Sequence, residues 1–192
     1  MVSYRTRLGI FRAVVGACAL WTAAGAPAAP PAAPDLTRQQ WHERLQWDTA
    51  ECPLQRDDLT DSGVTVTARD ATHSLIMVEC ERWAYQGTYR FYVRTGEAVV
   101  PLEFEQFESP DTGRLERYRS PLVTGVPLLN AQPSAIDILR KYRGAADCGQ
   151  FLRYRITDGA AVLKSFRVRE CAALPSGRPV PPNRWPTRNV PR

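Results

Sequence analysis

The chain is poor in histidine and in the short motifs that carry most enzyme and cofactor chemistry. It has two histidines, His42 and His73, and no Cys-x-x-Cys pair, which argues against a zinc site. It also lacks a Gly-x-Gly-x-x-Gly turn, a Walker loop, an EF-hand loop and a Gly-x-Ser-x-Gly nucleophile turn. We therefore expect no metal, no cofactor and no recognisable catalytic group, with His42 and His73 as the only candidates for a hydrolase.

The sequence also has no apolar run long enough to span a membrane. The apolar stretch Ala13–Ala24 has about 12 residues, whereas a spanning helix needs roughly 20. Arginines precede this stretch and small residues follow it, which is the layout of a secretory signal peptide. Cleavage is expected after Ala28, so that residues 1–28 are removed. A twin-arginine pair is absent, which favours Sec export into the periplasm or the medium.

Cys18 leaves a lipoprotein alternative open. The segment Val15–Cys18 resembles a bacterial lipobox, in which Cys18 would carry a lipid anchor. Arg12 leaves only a short apolar run before Cys18, and soluble release is therefore favoured. Beyond the signal, residues 29–34 are an Ala/Pro-rich spacer, and residues 35–192 are expected to form one domain that ends in a Pro/Arg-rich tail.

The net charge gives no support for nucleic-acid binding. The formal charge of +5 falls to +2 without the three arginines of the predicted signal, which leaves 22 basic and 20 acidic residues. The charge is unevenly distributed, since residues 29–135 carry −6 and residues 136–192 carry +8. Either the two halves face each other in one fold, or the basic half presents a cationic face to an anionic envelope partner.

Cysteine usage predicts two disulfides. Without Cys18, four cysteines remain, and an even number in an exported chain points to pairing. Three connectivities are possible, and we favour the sequential one, which closes two short loops at roughly 3 kcal/mol of stability each. The pairs are then Cys52 with Cys80 and Cys148 with Cys171.

Periodicity predicts one helix followed by short strands. The helix covers Thr37–Trp47, with Asp35 or Thr37 as its cap. The predicted strands are 64–68, 75–80, 89–93, 99–104, 115–120, 136–143, 150–156 and 161–169. The aromatic residues follow this strand pattern and are expected in the core. The fold class is therefore mainly β, with antiparallel hairpins in a sandwich or barrel-like arrangement and one N-terminal helix; an α+β fold is the alternative.

Turn residues separate these elements. Arg94–Glu97 is a hairpin turn and Ser109–Gly113 is a second turn, whereas residues 121–135 look like a connection without pattern. Strand parity in the last hairpin requires an odd loop, which we assign to Thr157–Gly159 with Gly159 left-handed. Val162, Phe166 and Val168 then face the core.

The same parity places four arginines on the opposite face of the last hairpin, flanked by Lys141 and Arg143 if the preceding strand pairs alongside. They are Arg153, Arg155, Arg167 and Arg169. This face is a candidate anion-binding surface; alternatively it is solvated, or covered by the acidic half of the chain.

The most specific local pattern is Gly144–Gly149 (Gly-Ala-Ala-Asp-Cys-Gly). Asp147 can form an Asx-type turn bond, the glycines allow left-handed backbone, and Cys148 can anchor the loop. We expect a structural motif formed by Arg143, Gly144, Asp147, Cys148 and Gly149, with ligand binding by Asp147 as the less favoured alternative.

Several segments carry a family resemblance. Tyr142–Gly149 resembles the Arg-Gly-x-Gly-Asp-Cys-Gly signature of an uncharacterised family of exported proteobacterial proteins, a domain of unknown function, although Ala146 replaces its second glycine. Trp83–Gln86, which follows Cys80, is similar to its Ala-Tyr-Asn segment, with Gln86 in place of Asn. Arg169–Cys171 and Arg184–Thr187 look like its closing Cys and Trp-Pro pattern. The resemblance covers about residues 74–188 and implies export and cysteine bridging, but no activity.

Together these features favour an exported binding or envelope-interaction domain without catalysis. The expected partner is an anionic envelope component or a periplasmic protein. One alternative is an inhibitor of a periplasmic hydrolase such as lysozyme, and another is a hydrolase that uses His42 or His73.

Overall fold

A computed structural model describes residues 35–70, 72–108, 115–129, 134–157, 159–172 and 180–188. The predicted signal peptide with Cys18, the spacer 29–34 and the predicted turn 109–113 lie outside the described residues. The described residues form one α-helix, α1 (Arg38–Leu45), and ten strands. The strands are β1 (Val64–Ala68), β2 (His73–Arg82), β3 (Gly87–Thr95), β4 (Ala98–Pro101), β5 (Phe104–Glu108), β6 (Glu116–Ser120), β7 (Leu122–Leu128), β8 (Ala135–Lys141), β9 (Gly149–Thr157) and β10 (Ala160–Arg169).

Eight of these strands form one antiparallel sheet in the order β1-β2-β3-β7-β8-β9-β10, with β4 paired to β3. β5 and β6 form a separate hairpin. Among the described strands, β1 and β10 pair with one neighbour each and not with each other, so that the sheet is not a closed barrel. The predicted mainly β fold with a single helix is confirmed.

The main core lies on the inner face of the large sheet. Alternate residues of β2, β3 and β7–β10 point to this face, and the β5–β6 hairpin packs over them. Phe104 of β5 contacts Tyr154 edge-on at 4.9 Å, and Phe107 stacks on Phe166 at 4.3 Å. Tyr154 is fully buried, and its hydroxyl donates to the Glu105 carbonyl at 2.7 Å. Burial of the phenol raises the pKa of Tyr154.

The N-terminal segment covers the outer face of β1–β3. Thr37 caps α1 because its side chain accepts a hydrogen bond from the Gln40 backbone while Gln40 Oε1 accepts one from the Thr37 backbone. The helix ends at Gln46, whose left-handed φ of 53° terminates the hydrogen-bond ladder. Trp41 and Trp47 are buried against the outer residues of β2 and β3. The run 75–78 is continuously apolar because both faces of β2 are buried here.

The C-terminal segment covers the outer face of β8 and β9. Trp185 is 1% exposed and packs against Leu139 and Phe151. Its indole Nε1 donates to the Val180 carbonyl at 2.9 Å. The backbone beyond Trp185 pairs with the outer edge of β10, where Arg188 N donates to the Phe166 carbonyl at 3.0 Å. Trp185 therefore docks the C-terminal segment onto the sheet.

Two strand predictions are wrong. Residues 121–135 are not a plain connection, since they contain β7, whose first half pairs with β3 and whose second half pairs with β8. β7 contains Gly125 and Pro127, two residue types that are typical of loops, and the sequence is therefore interpreted as a loop. The predicted strand 99–104 is also interrupted, because β4 ends at Pro101 and Phe104 belongs to β5.

The last hairpin closes by a different route from the predicted one. Thr157 pairs with Ala160, so the loop has two residues, and a β-bulge between Leu163 and Ser165 supplies the odd residue. Phe166 and Val168 face the core as expected, whereas Val162 is 41% exposed. Gly159 has the predicted left-handed backbone, with φ 73°.

Across the described ranges, no helix has the length and apolar character that crossing a membrane requires.

Candidate functional site

The turns of two hairpins meet where their strands end, on one side of the sheet. Trp83–Gln86 connects β2 to β3, and 142–148 connects β8 to β9; these are the segments that carry the resemblance described above. The Lys141 backbone N–H donates to Gln86 Oε1 at 2.9 Å, and Lys141 Nζ donates to the Tyr85 carbonyl at 3.0 Å. A Cβ on Gly144 would lie 3.8 Å from the Tyr85 ring. Residues far apart in sequence therefore build one surface.

An ion pair and a disulfide hold the 142–148 loop. Arg143 donates to both carboxylate oxygens of Asp147, and Arg143 Nη1 also donates to the Ala172 carbonyl at 3.2 Å. Hydrogen bonds from this guanidinium lower the pKa of Asp147. Asp147 was expected to form an Asx-type turn bond, and its partner is instead the Arg143 side chain.

The four cysteines form the two expected pairs. The bond Cys148–Cys171 closes the 142–148 loop onto the end of β10. The bond Cys52–Cys80 joins the N-terminal segment to β2, and both of its cysteines are buried.

Three exposed aromatic residues lie on these two turns. Trp83, Tyr85 and Tyr142 are 46%, 40% and 39% exposed. They are the only aromatic side chains among the described residues that are this exposed, and we call them the aromatic edge. The expectation that the aromatics belong to the core is wrong for these three. A sequence signal existed, since all three lie in turns and not in strands, but turn residues alone do not show that two turns meet.

The four arginines of the last hairpin meet different environments on the outer face. Arg153 donates to Asp137 through Nε at 2.8 Å and Nη2 at 2.7 Å. Arg167 Nη1 donates to the Trp185 carbonyl at 2.8 Å. Two of the four guanidinium groups therefore bind the protein itself, one to a nearly buried carboxylate and one to the C-terminal segment.

The remaining pair differs in exposure. Arg155 is exposed, and no described residue forms a hydrogen bond or an ion pair with its side chain. Arg169 is half-buried near the Arg143–Asp147 pair, and its Nη1 has no hydrogen-bond partner among the described residues.

A cavity of about 520 Å³ opens at the other ends of β3 and β9. Its lining includes Arg69, Asp70, His73 and Thr95 from one side, and Ser134 and Ile156 from the other. Asp70 accepts hydrogen bonds from the backbone N–H groups of Thr72 and His73, each at 2.8 Å, and these bonds together with His73 lower the pKa of Asp70. His73 Nδ1 lies 2.8 Å from the Asp70 carboxylate.

The two histidines therefore differ. His73 has a carboxylate partner and lines a cavity. His42 packs edge-on against Trp47, with ring centroids 5.1 Å apart, and its buried Nδ1 has no partner among the described residues. His42 itself is half-buried. Within the described ranges, no three His, Cys, Asp or Glu side chains come together as a metal site.

Comparison with known proteins gives one match. A family model described as a protein of unknown function, DUF1176, matches residues 12–192. No curated protein and no solved structure matches the chain. The match includes the disulfides, both turns of the aromatic edge and the cavity residues. Since it covers nearly the whole chain, the protein belongs to the DUF1176 family of proteins of unknown function.

Proposed function

We propose that the protein is an exported binding domain of the proteobacterial cell envelope and has no catalytic activity. Residues 1–28 serve as a Sec signal, residues 29–34 as a spacer, and residues 35–192 as the binding domain. The two disulfides support an oxidising compartment such as the periplasm. The intact mass of the exported protein should correspond to a chain that begins at Ala29. A lipid on Cys18 would contradict soluble release.

The aromatic edge is the observation that carries this proposal. Trp and Tyr rings offer large apolar faces with a polar rim, which suits partners that are both apolar and hydrated. The pyranose rings of a polysaccharide have such a character, because their C–H faces stack on aromatic rings while their hydroxyls stay in water. Trp83 and Tyr85 lie on a turn that is fixed by the hydrogen bond from Trp83 N to the Gln86 carbonyl at 2.8 Å. Little conformational entropy is then lost on binding.

The surroundings favour a glycan polymer over a protein partner. The centre of a protein–protein interface is apolar and depleted of charge. The aromatic edge is instead flanked by Arg82, Lys141 and Arg143, and by small residues such as Gly144. Among the described residues Lys141 has no carboxylate partner, so its charge is available to an anionic polymer.

The test is cosedimentation of the purified protein with cell-wall sacculi. Trp83→Ala combined with Tyr85→Ala should abolish sedimentation, because the stacking surface is removed while the core is untouched. The matched control replaces two exposed aliphatic residues elsewhere, Val100→Ala with Val162→Ala, and should sediment like the native protein. Undiminished sedimentation of the aromatic variant would contradict the proposal.

The outer arginines are proposed as a second, weaker contact for the same anionic polymer. Arg155 is the member with a free guanidinium among the described residues. Its contribution should fall as salt is raised, since the screening length shortens from about 30 Å at 0.01 M to about 8 Å at 0.15 M. Arg155→Glu should therefore weaken sedimentation at low salt and change little at high salt.

Inhibition of a periplasmic hydrolase remains the alternative binding role. In that case the protein should reduce lysozyme activity in a titration, and the loss of Trp83 and Tyr85 should relieve the inhibition. Sedimentation with sacculi without any effect on lysozyme would select the glycan role.

A hydrolase that uses His73 is the second candidate function. It is favoured by the 2.8 Å contact between His73 Nδ1 and Asp70, which orients the ring as a carboxylate does in general-base catalysis. Turnover of p-nitrophenyl acetate that is lost in both His73→Gln and Asp70→Asn would support this candidate. His42→Gln is the matched control, because His42 does not line the cavity.

A further inference from the structure

The cavity at the ends of β3 and β9 has the size of a small-molecule site. Its volume of about 520 Å³ lies within the usual range for ligand pockets. The lining combines apolar residues of the core, Val93 and Ile156, with the hydroxyl-bearing residues Thr95 and Ser134. The site lies at the opposite ends of β2 and β3 from the aromatic edge, and it is therefore independent of the proposed glycan surface.

Arg69 is the residue that distinguishes this cavity. Its side chain is partly buried, and this loss of water lowers the pKa of the Arg69 guanidinium. Among the described residues, no group forms a hydrogen bond or an ion pair with that guanidinium. A partly desolvated cation without a partner is costly, and proteins seldom retain one without compensation.

Other buried arginines of the chain show what compensation looks like. Burial also lowers the pKa of Arg38, but Arg38 donates to the carbonyls of Pro53, Ser62 and Glu79 at 2.9 to 3.1 Å. Arg56 pairs with the carboxylates of Asp58 and Glu79. Arg69 is the exception among these three.

The adjacent carboxylate does not compensate Arg69. Asp70 is committed to the Thr72 and His73 backbone N–H groups, to the Thr72 hydroxyl at 3.0 Å and to the His73 ring. The Asp70 carboxylate is therefore hydrogen-bonded to residues of its own turn, between β1 and β2. Arg69 lines the cavity, and none of the described groups pairs with its charge.

We propose that this cavity binds a small oxyanion, a carboxylate or a phosphate group, through the Arg69 guanidinium. The planar fork of arginine matches two oxygens of either group. Thr95 and Ser134 supply hydroxyls for the remaining oxygens, and Val93 with Ile156 accommodate a short apolar part of the ligand. His73 lines the same cavity, with Nδ1 held by Asp70.

The experiment titrates the exported protein with inorganic phosphate and, separately, with propionate, and follows backbone amides by NMR. Amide shifts are expected at Thr95, Ile156 and Gly159. Arg69→Gln should weaken binding at least tenfold, because it keeps a polar side chain but removes the charge and the fork. Arg119→Gln on β6 is the matched control, since Arg119 is exposed and outside the cavity lining.

The two probes identify the ligand class. Arg69-dependent binding of phosphate alone assigns the site to phosphate groups, and binding of propionate alone assigns it to carboxylates with an apolar tail. Failure of both probes, or equal affinity in Arg69→Gln and the native protein, would overturn the proposal. These outcomes do not depend on sedimentation with sacculi.

A second measurement covers the case in which Arg69→Gln fails to fold. Phenylglyoxal modifies arginines of the native protein, and the bound oxyanion should protect Arg69 but not Arg119, as read by peptide mass mapping. Equal modification of Arg69 with and without the probe would contradict the site.

Discussion

Ala146 occupies a backbone conformation that suits glycine. Its φ is 55°, where the Cβ of an L-residue crowds the following carbonyl oxygen at a cost of about 1–2 kcal/mol. The signature that Tyr142–Gly149 resembles has glycine at this position. Ala146→Gly should therefore stabilise the protein by about 1 kcal/mol in urea denaturation, after subtraction of the greater entropy of the unfolded chain.

Gly149 provides the contrast for that measurement. Its φ is 145°, and a Cβ on it would lie 2.1 Å from the Arg140 carbonyl oxygen. Gly149→Ala should therefore prevent β8 and β9 from pairing at this point and lower stability severely. A destabilised Ala146→Gly together with a tolerated Gly149→Ala would contradict the backbone assignment of the loop.

Arg153 and Arg155 are neighbours on the outer face with different roles. Arg153 compensates Asp137, which is 2% exposed, whereas Arg155 is exposed and has no partner among the described residues. Arg153→Glu should lower the free energy of unfolding by about 2 kcal/mol, because it removes charge-assisted hydrogen bonds from a buried carboxylate. Arg155→Glu should change it by less than about 0.5 kcal/mol. Equal losses in chemical denaturation would show that Asp137 does not depend on Arg153.

At the level of elements, the C-terminal segment completes the outer face and is held largely by one side chain. Trp185→Ala removes a fully buried indole from its contacts with Leu139 and Phe151, and such truncations cost about 3–5 kcal/mol. We expect a lower thermal midpoint and rapid proteolytic cleavage in 180–188. Trp83→Ala removes an indole that is 46% exposed and should leave both unchanged. Protection of 180–188 in the Trp185 variant would contradict docking by this residue.

The elements that could be predicted from sequence are those whose pattern is set by neighbouring residues, such as alternation in a strand or a cap at a helix end. β1 agrees with the alternation of Val64–Ala68, and α1 agrees with its capping residues. β7 could not be found because it exchanges partners halfway, from β3 to β8, and its Gly125 and Pro127 follow from that exchange. The bulge after Leu163 could not be predicted either. Strand parity requires one extra residue in the hairpin, but it does not show whether that residue lies in the loop or in a strand.

The candidate sites were less predictable, because they depend on contacts between distant segments. The disulfide pairs followed from sequence separation. The meeting of Tyr85 with Gly144 depends on how β3, β7 and β8 are ordered in the sheet. Arg69 looks like one of many arginines in the sequence, and only the structure shows that no described group, Asp70 included, pairs with its guanidinium.

At the scale of the whole molecule, the two disulfides reinforce different parts of the structure. Cys52–Cys80 lies inside the cluster of the N-terminal segment, with both cysteines at most 1% exposed. Cys148–Cys171 ties the 142–148 loop to the end of β10, and Cys171 is exposed. Each closes a loop of similar length, with sequence separations of 28 and 23 residues, so each should contribute about 3 kcal/mol. Their accessibility, however, differs strongly.

Reduction should therefore proceed in two stages. The native protein should show no free thiol after denaturation without reductant. Mild reductant should open Cys148–Cys171 first, because a thiolate must reach a disulfide sulfur and only this bond includes an exposed cysteine, Cys171. Mass mapping after alkylation should find Cys148 and Cys171 modified while the inner face remains folded, since the bond lies outside the main core. Cys52 and Cys80 should become reactive only when the N-terminal segment leaves β2, at denaturant concentrations that unfold the domain. If Cys52 and Cys80 are alkylated first, the N-terminal segment opens more readily than its burial indicates. The N-terminal segment would then be less stable than the 142–148 loop with its disulfide, contrary to this prediction.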